Sequence, residues 1–241
     1  MRNKGQIHVE LQGWLGDDRA IAESAWTSST TLQGKEKRTD EDVKRILTEV
    51  LTRPIQTLED VGHVHGSPFE SVVFRFWMKI PISTDRQHMT HRIASHNGMS
   101  GRYRTMPNEW LKMPEDILNV FYDCYEDDLI GEYEYICGRA NDLYRTCLER
   151  MKQHEKMGLI TNTQYKRLRE FYRGVLPQNN MTERVTTMNL RSFANYQMLR
   201  NSAHAQEEIH TVAQLMLEEV KEANMCPVTI EILEKNKWIL V

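Results

Sequence analysis

The chain has 241 residues, 40% of them hydrophobic and 27% charged, with a formal net charge of -3. That balance supports a globular chain with an ample core and excludes low-complexity and collagen-like polymers; a general nucleic-acid binder would be basic overall, so none is expected. No run approaches the roughly 20 apolar residues of a membrane span, and the opening Met-Arg-Asn-Lys-Gly-Gln has no apolar leader, so no membrane association and a cytoplasmic location are expected.

Ile7 to Trp14 reads as a first strand and Asp17 to Trp26 as a helix. Ser28 to Thr39 is polar and reads as a loop, while Asp40 to Thr52 has helical spacing through Val43, Ile46, Leu47 and Val50. Glu70 to Pro81 alternates: Val72, Phe74, Phe76, Met78 and Ile80 face one way, and Val73, Arg75, Trp77 and Lys79 the other. Period two over that length means a half-buried strand. Pro81 ends it, and Ser83 can cap a following helix that carries Arg86, Gln87, Thr90 and His91.

The middle is helical. Ile117, Leu118, Phe121, Tyr122 and Tyr125 form one stripe, and a longer one runs from Tyr133 to Met151. Such a tyrosine-rich stripe is expected to pack in a core or at a subunit interface. Cys137 and Cys147 fall on apolar positions of it, and with Cys124 and Cys226 they show no paired metal spacing, so reduced thiols are expected. A short helix is expected over Thr163 to Arg173, a strand over Glu183 to Met188, and helices over Leu190 to Asn201 and Ala205 to Ala223. With no repeat and no linker, the expected architecture is α+β: a single mixed domain over residues 1–241, with an antiparallel sheet flanked by long helices.

The chemistry concentrates in residues 86–104. Four arginines, three histidines, two serines, a Gln and an Asn fall there, and no Asp or Glu occurs from Arg86 to Asn108. Hydrogen-bond donors gathered without carboxylates suit anions, because a neighbouring carboxylate competes for the same donors. Gly98 and Gly101 permit tight turns and close backbone approach. A second acid-free segment, Asn189 to Gln206, adds Arg191, Asn195, Gln197, Arg200 and His204. Two donor clusters suit ligands with several phosphates. His63 with His65, or His88 with His91, has metal-like spacing but belongs to no complete Cys, His and carboxylate ligand motif, so no metal is expected. Neither Gly-x-Ser-x-Gly nor Gly-x-Gly-x-x-Gly occurs.

The order of these residues resembles the signature of the flavin-dependent thymidylate synthases: Arg-His-Arg, two residues, Ser, one, Asn, two, Ser, one, Arg-Tyr. The chain has Thr90-His91-Arg92, then Ser95, Asn97, Ser100, Arg102 and Tyr103. Upstream, Gly66-Ser67-Pro68-Phe69-Glu70 stands for the family's Thr-Pro-Phe-Glu. Downstream come Leu176-Pro177, Asn189-Leu190-Arg191-Ser192, and Ala203-His204-Ala205-Gln206, so the resemblance runs from roughly Ala20 to Pro227. Two positions depart: Thr90 replaces the family's first Arg, and Gly98 replaces a common Glu.

The resemblance implies an FAD-dependent enzyme that methylates dUMP to dTMP with 5,10-methylenetetrahydrofolate and NADPH, as a homotetramer with shared active sites. It implies FAD binding by Ser28, Ser67, His91, Arg92, Asn189, Leu190, Arg191 and Asn195. Substrate would be bound by Gln87, Ser100, Gly101, Arg102, Arg173 and Arg200, the last against the pyrimidine edge as the catalytic group. Thr90 and Gly98 keep two alternatives open: a related methylation or hydroxymethylation of a pyrimidine deoxynucleotide, dUMP or dCMP, or nucleotide and flavin binding without turnover.

Overall fold

The structure is a computed structural model and describes residues 1–51 and 65–238; His63 and the far end of the helix expected over Asp40 to Thr52 lie outside them. The architecture is α+β, as expected, around an antiparallel sheet. Its strands are β1 (Arg2–Lys4), β2 (Ile7–Leu15), β3 (Val73–Pro81), β4 (Ser95–Gly98) and β5 (Met181–Asn189), in the order β1-β2-β3-β5-β4. The α-helices among the described residues are α1 (Asp18–Trp26), α2 (Leu32–Glu36), α3 (Asp40–Arg45), α4 (Ile82–His88), α5 (Glu115–Asp123), α6 (Asp128–Lys156), α7 (Asn162–Tyr172), α8 (Leu190–Arg200), α9 (Glu207–Ala223) and α10 (Pro227–Lys235). The chain gathers into two compact units: Met1–Met78, Gln87–Asn97 and Arg184–Val241 form the first, and Lys79–Arg86 with Gly98–Glu183 the second.

In the first unit, the alternation read in β3 is realised. Val72, Phe74, Phe76 and Met78 are fully buried. Phe193 of α8 meets Phe74 edge-on at 5.2 Å and stacks on Phe76 at 6.0 Å, and Trp238 closes against it at 5.9 Å. Burial of each such ring stabilises by about 1.5–3 kcal/mol. β1 and β2 form an antiparallel hairpin turned at Gly5, whose φ of 60° suits a residue without Cβ. Helix α10 was not expected from the sequence. Its first N–H groups, on Val228 and Thr229, donate at 3.0 Å to the Asp18 carboxylate, so a residue at the other end of the chain supplies its cap.

Two local expectations are corrected in this unit. The polar stretch expected as a loop contains α2, because Thr31 accepts from the Gly34 N–H and caps a turn. The helix from Asp40 is α-helical only to Arg45, behind a Thr39–Asp42 capping box, and continues as π-helix over Ile46–Leu51.

The second unit holds a core of Met106, Tyr144, Leu148 and Leu176. A reciprocal amide pair lies beside α6: Asn141 donates to Asn180 Oδ1 at 2.9 Å, and Asn180 donates back at 3.1 Å. The stripe on α5 is not core within the chain. That helix buries none of its residues, and Tyr122 and Ile117 are exposed, as are Tyr135, Ile136 and Leu143 on α6.

Candidate functional site

Asn189 ends β5 and caps α8, its side chain accepting from the Ser192 N–H at 2.8 Å. The strand therefore turns into the helix with no loop, and the first helical turn is aimed by the sheet. Leu190 is fully buried and spends its N–H on the Val72 carbonyl at 2.8 Å. Arg191 and Asn195 lie four residues apart on the partly exposed side of α8. Arg191 pairs with Glu70 at 2.8 Å.

Helix α4 ends at His88, earlier than expected. Thr90 leaves the helix because both its N–H and its Oγ1 donate to the Gln87 carbonyl, at 3.2 and 2.7 Å, and His91 N–H turns back to the His88 carbonyl. Ser83 is likewise no cap: it lies inside α4, in the second unit, with its N–H on the Gln178 carbonyl. Past the turn, His91 is buried, with Nε2 2.7 Å from Ser192 Oγ, and Ser192 in turn donates to the Ile93 carbonyl. The motif and the second Asn-x-Arg-Ser block are thus in contact. Arg200, at the end of α8, donates to Thr90 Oγ1 at 3.1 Å. Arg92 is exposed, and Gln87 keeps a buried Oε1 with no partner among the described residues.

Ser28 and Ser67, far apart in sequence, line one cavity of about 390 Å³ together with Ser24, Ser29 and His65. Among the described residues its lining has hydroxyls and an imidazole and no carboxylate, a donor set that fits the phosphates or sugar of a dinucleotide; the volume suits one end of such a molecule. The orphaned Gln87 acceptor calls for an N–H donor, which a base or a flavin ring carries. In this first unit the residues fit the flavin group that the sequence implies.

Sequence reasoning missed a buried polar network in the same unit. His88 lies between Tyr196 OH (Nδ1, 2.9 Å) and Thr186 Oγ1 (Nε2, 2.9 Å), and Thr186 also contacts His96 Nδ1 at 3.1 Å. Burial pushes His88 well below the usual imidazole range, helped by His96, Arg184, His91 and Arg200. Burial also lowers His91, against the opposing hydrogen bond to Ser192. The available signal was β5 itself, where Thr182, Arg184 and Thr186 share a buried face with Met188. Polar residues on a buried strand face call for partners.

The remaining substrate residues belong to the second unit. The Ser100 carbonyl accepts from Tyr103 and Arg104, and its Oγ from the Arg102 N–H at 3.3 Å. Gly101 is buried, and a Cβ there would come within 3.1 Å of Arg173 Cδ. Ser100, Gly101, Arg102 and Arg173 therefore form one patch. The expected absence of carboxylates holds only along the sequence. Folding brings Glu170 to Arg102 at 2.6 Å and Glu183 to Arg104 at 2.9 Å. Among the described residues no three His, Cys, Asp or Glu side chains gather as a metal site, and no helix is long and apolar enough to cross a membrane.

The signature of the family described as "Thymidylate synthase complementing protein" matches residues 11–228. The flavin-dependent thymidylate synthase of Kosmotoga olearia is 33% identical over 235 residues, covering 92% of this chain and 88% of the relative. That of Thermotoga neapolitana is 33% identical over 232 residues, covering 95% and 92%. The crystal structure of the UMP/dUMP methylase PolB from Streptomyces cacaoi, bound with 5-Br dUMP, shares the fold at a TM-score of 0.72 and 23% identity, over 99% of both chains.

Proposed function

The chain belongs to the flavin-dependent thymidylate synthase family, and from that premise we propose that it converts dUMP to dTMP with 5,10-methylenetetrahydrofolate and NADPH. It is a flavin-dependent enzyme of that type. The observation that carries the reading is the contact of His91 in the first motif with Ser192 in the second block, beside that of Thr90 with Arg200.

Ser28, Ser67, His91, Arg92, Asn189, Leu190, Arg191 and Asn195 are assigned to FAD. Bound there and first reduced by NADPH, the flavin would supply hydride for the one-carbon unit placed on C5 of the pyrimidine and return to FAD. Ser100, Gly101, Arg102 and Arg173 are assigned to the nucleotide phosphate and sugar, and Gln87 to the base. Arg200 at the pyrimidine edge favours the ionised N3 and so enriches C5 in electron density. No enzyme nucleophile is needed, and Ser100 serves as a donor. The same reading takes residues 1–241 as one family domain in a cytoplasmic homotetramer. The exposed faces of α5 and α6 are the surfaces such an assembly would cover.

The test incubates the purified protein with FAD, NADPH and methylenetetrahydrofolate, with dUMP or dCMP, and weighs the nucleotide. One added methylene on dUMP alone is the expected result. A methylated or hydroxymethylated dCMP, or hydroxymethyl-dUMP, would move the assignment to the related reaction that the Thr90 and Gly98 departures keep open. Flavin bound without any product would mark a binding protein.

A further inference from the structure

The hydrogen bonds around His91 have a direction, and one atom sets it. His96 Nε2 lies 3.2 Å from the His91 carbonyl. A carbonyl only accepts, so His96 Nε2 carries the proton, and in the neutral ring Nδ1 is an acceptor. Thr186 then gives its single proton to His96 Nδ1, and its oxygen accepts from His88 Nε2–H. His88 Nδ1 is left to accept from the Tyr196 hydroxyl. Every proton in this series has one acceptor. An imidazolium at His96 would reverse each bond and strand the proton of Tyr196, which is fully buried. A second branch ends similarly. Ser192 gives its proton to the Ile93 carbonyl, so it accepts from His91 Nε2–H. His91 Nδ1 then carries a lone pair, with no partner among the described residues.

We propose that Tyr196, His88, Thr186 and His96 form a one-directional hydrogen-bond relay that holds the His91 segment in place, so that His91 Nδ1 accepts a hydrogen bond from an N–H or O–H of bound flavin. The proposal rests on the reading that His91 contacts flavin, and it specifies the chemistry of that contact: an acceptor, on a neutral ring, in the Nε2–H tautomer. Tyr196, His88, Thr186 and His96 are positioning residues. The relay joins α4, β4, β5 and α8, the elements on either side of the motif.

The experiment measures histidine tautomers by magic-angle-spinning solid-state 15N NMR of flavin-free, 15N-histidine-labelled protein, with assignment from single His→Gln variants. His88, His91 and His96 are each expected as Nε2–H. An Nδ1–H or imidazolium form of His88 or His96 at neutral pH would overturn the relay, and one of His91 would overturn its role as an acceptor. Thr186→Val keeps the side-chain shape but neither accepts nor donates. It is expected to disturb the tautomers of His88 and His96 and to weaken FAD binding about tenfold, the scale of lost outer-layer support, with Thr186→Ser restoring both. Altered tautomers with unchanged FAD affinity would sever the relay from flavin. If the wild-type protein binds no FAD while its tautomers are as stated, the assignment of His91 to flavin fails and the relay itself stands. Should the valine variant not fold, the wild-type tautomers and the serine variant decide.

Discussion

Arg200 reaches Thr90: its Nη2 donates to Thr90 Oγ1 at 3.1 Å, and that hydroxyl passes its own proton to the Gln87 carbonyl at 2.7 Å. A residue that departs from the family signature thus orients the proposed catalytic guanidinium. An arginine at position 90 would repel Arg200 instead of accepting from it. Thr90→Val keeps the shape and removes the acceptor. Discounted for solvent exposure, the lost bond is about 1 kcal/mol, or roughly fivefold in kcat. FAD should remain bound and Thr90→Ser should recover the rate. Steady-state kinetics beside flavin absorbance decide it; an unchanged kcat would mean that Arg200 is held by something else.

Arg102 is pre-occupied by Glu170, which also pairs with Arg167 at 3.2 Å. Arg167 first, and then Arg102, hold the Glu170 carboxyl below the usual carboxylate range. If Arg102 grips phosphate, Glu170 is its competitor. Glu170→Gln should tighten dUMP about two- to fivefold, as expected for release from a surface pair, whereas Arg102→Ala should weaken it about tenfold or more. Calorimetric titration of the FAD-loaded protein measures both. Looser binding in the glutamine variant would show Glu170 to be a support for Arg102.

His88 and His91 both have imidazoles shifted below their ordinary range in the fold. Unfolded, they titrate near 6.5. Below that pH the unfolded chain binds more protons than the folded one, so stability rises with pH there. The contribution is whole above about 6.5 and is lost as pH falls toward the lowered folded values. Chemical denaturation from pH 7.5 to 5 should show the loss, and His88→Gln should flatten it. A slope unchanged in that variant would place the titrating group elsewhere.

The Asn141–Asn180 pair predicts a stability effect without a change in ligand contacts. Asn141→Leu leaves the Asn180 carbonyl oxygen without the Asn141 donor and removes the bond to the Cys137 carbonyl. One unsatisfied buried group costs about 1–3 kcal/mol. The unfolding free energy from denaturant titration should fall by that amount, with FAD affinity unchanged.

What could be read in the sequence was whatever is local. The alternation of β3 and the stripe of α6 follow from backbone periodicity, and the motif residues from their order. What could not be read depends on groups distant in sequence. Asp18 caps α10, Glu170 pairs with Arg102 and Glu70 with Arg191, so a segment empty of acids along the chain is not empty in space. Exposure of the α5 stripe was equally hidden, since an apolar face looks the same whether its partner is this chain or another. The His88–Thr186–His96 network was hidden because an isolated histidine carries no periodic signal.

Both β3 and β5 run into helices with nothing between: Pro81 is followed by the first residue of α4, and Asn189 by that of α8. A loop absorbs an extra residue; a direct junction does not. One residue inserted after Asn189 would turn α8 by about 100° relative to its cap, carrying Arg191, Asn195 and Arg200 off their bearings together. Length variation among descendants of this sequence should therefore be excluded from these two seams, leaving substitution, as at Thr90, the open route by which the site diverges. Grafts, tags and permuted ends belong elsewhere, for instance at the Gly5 turn.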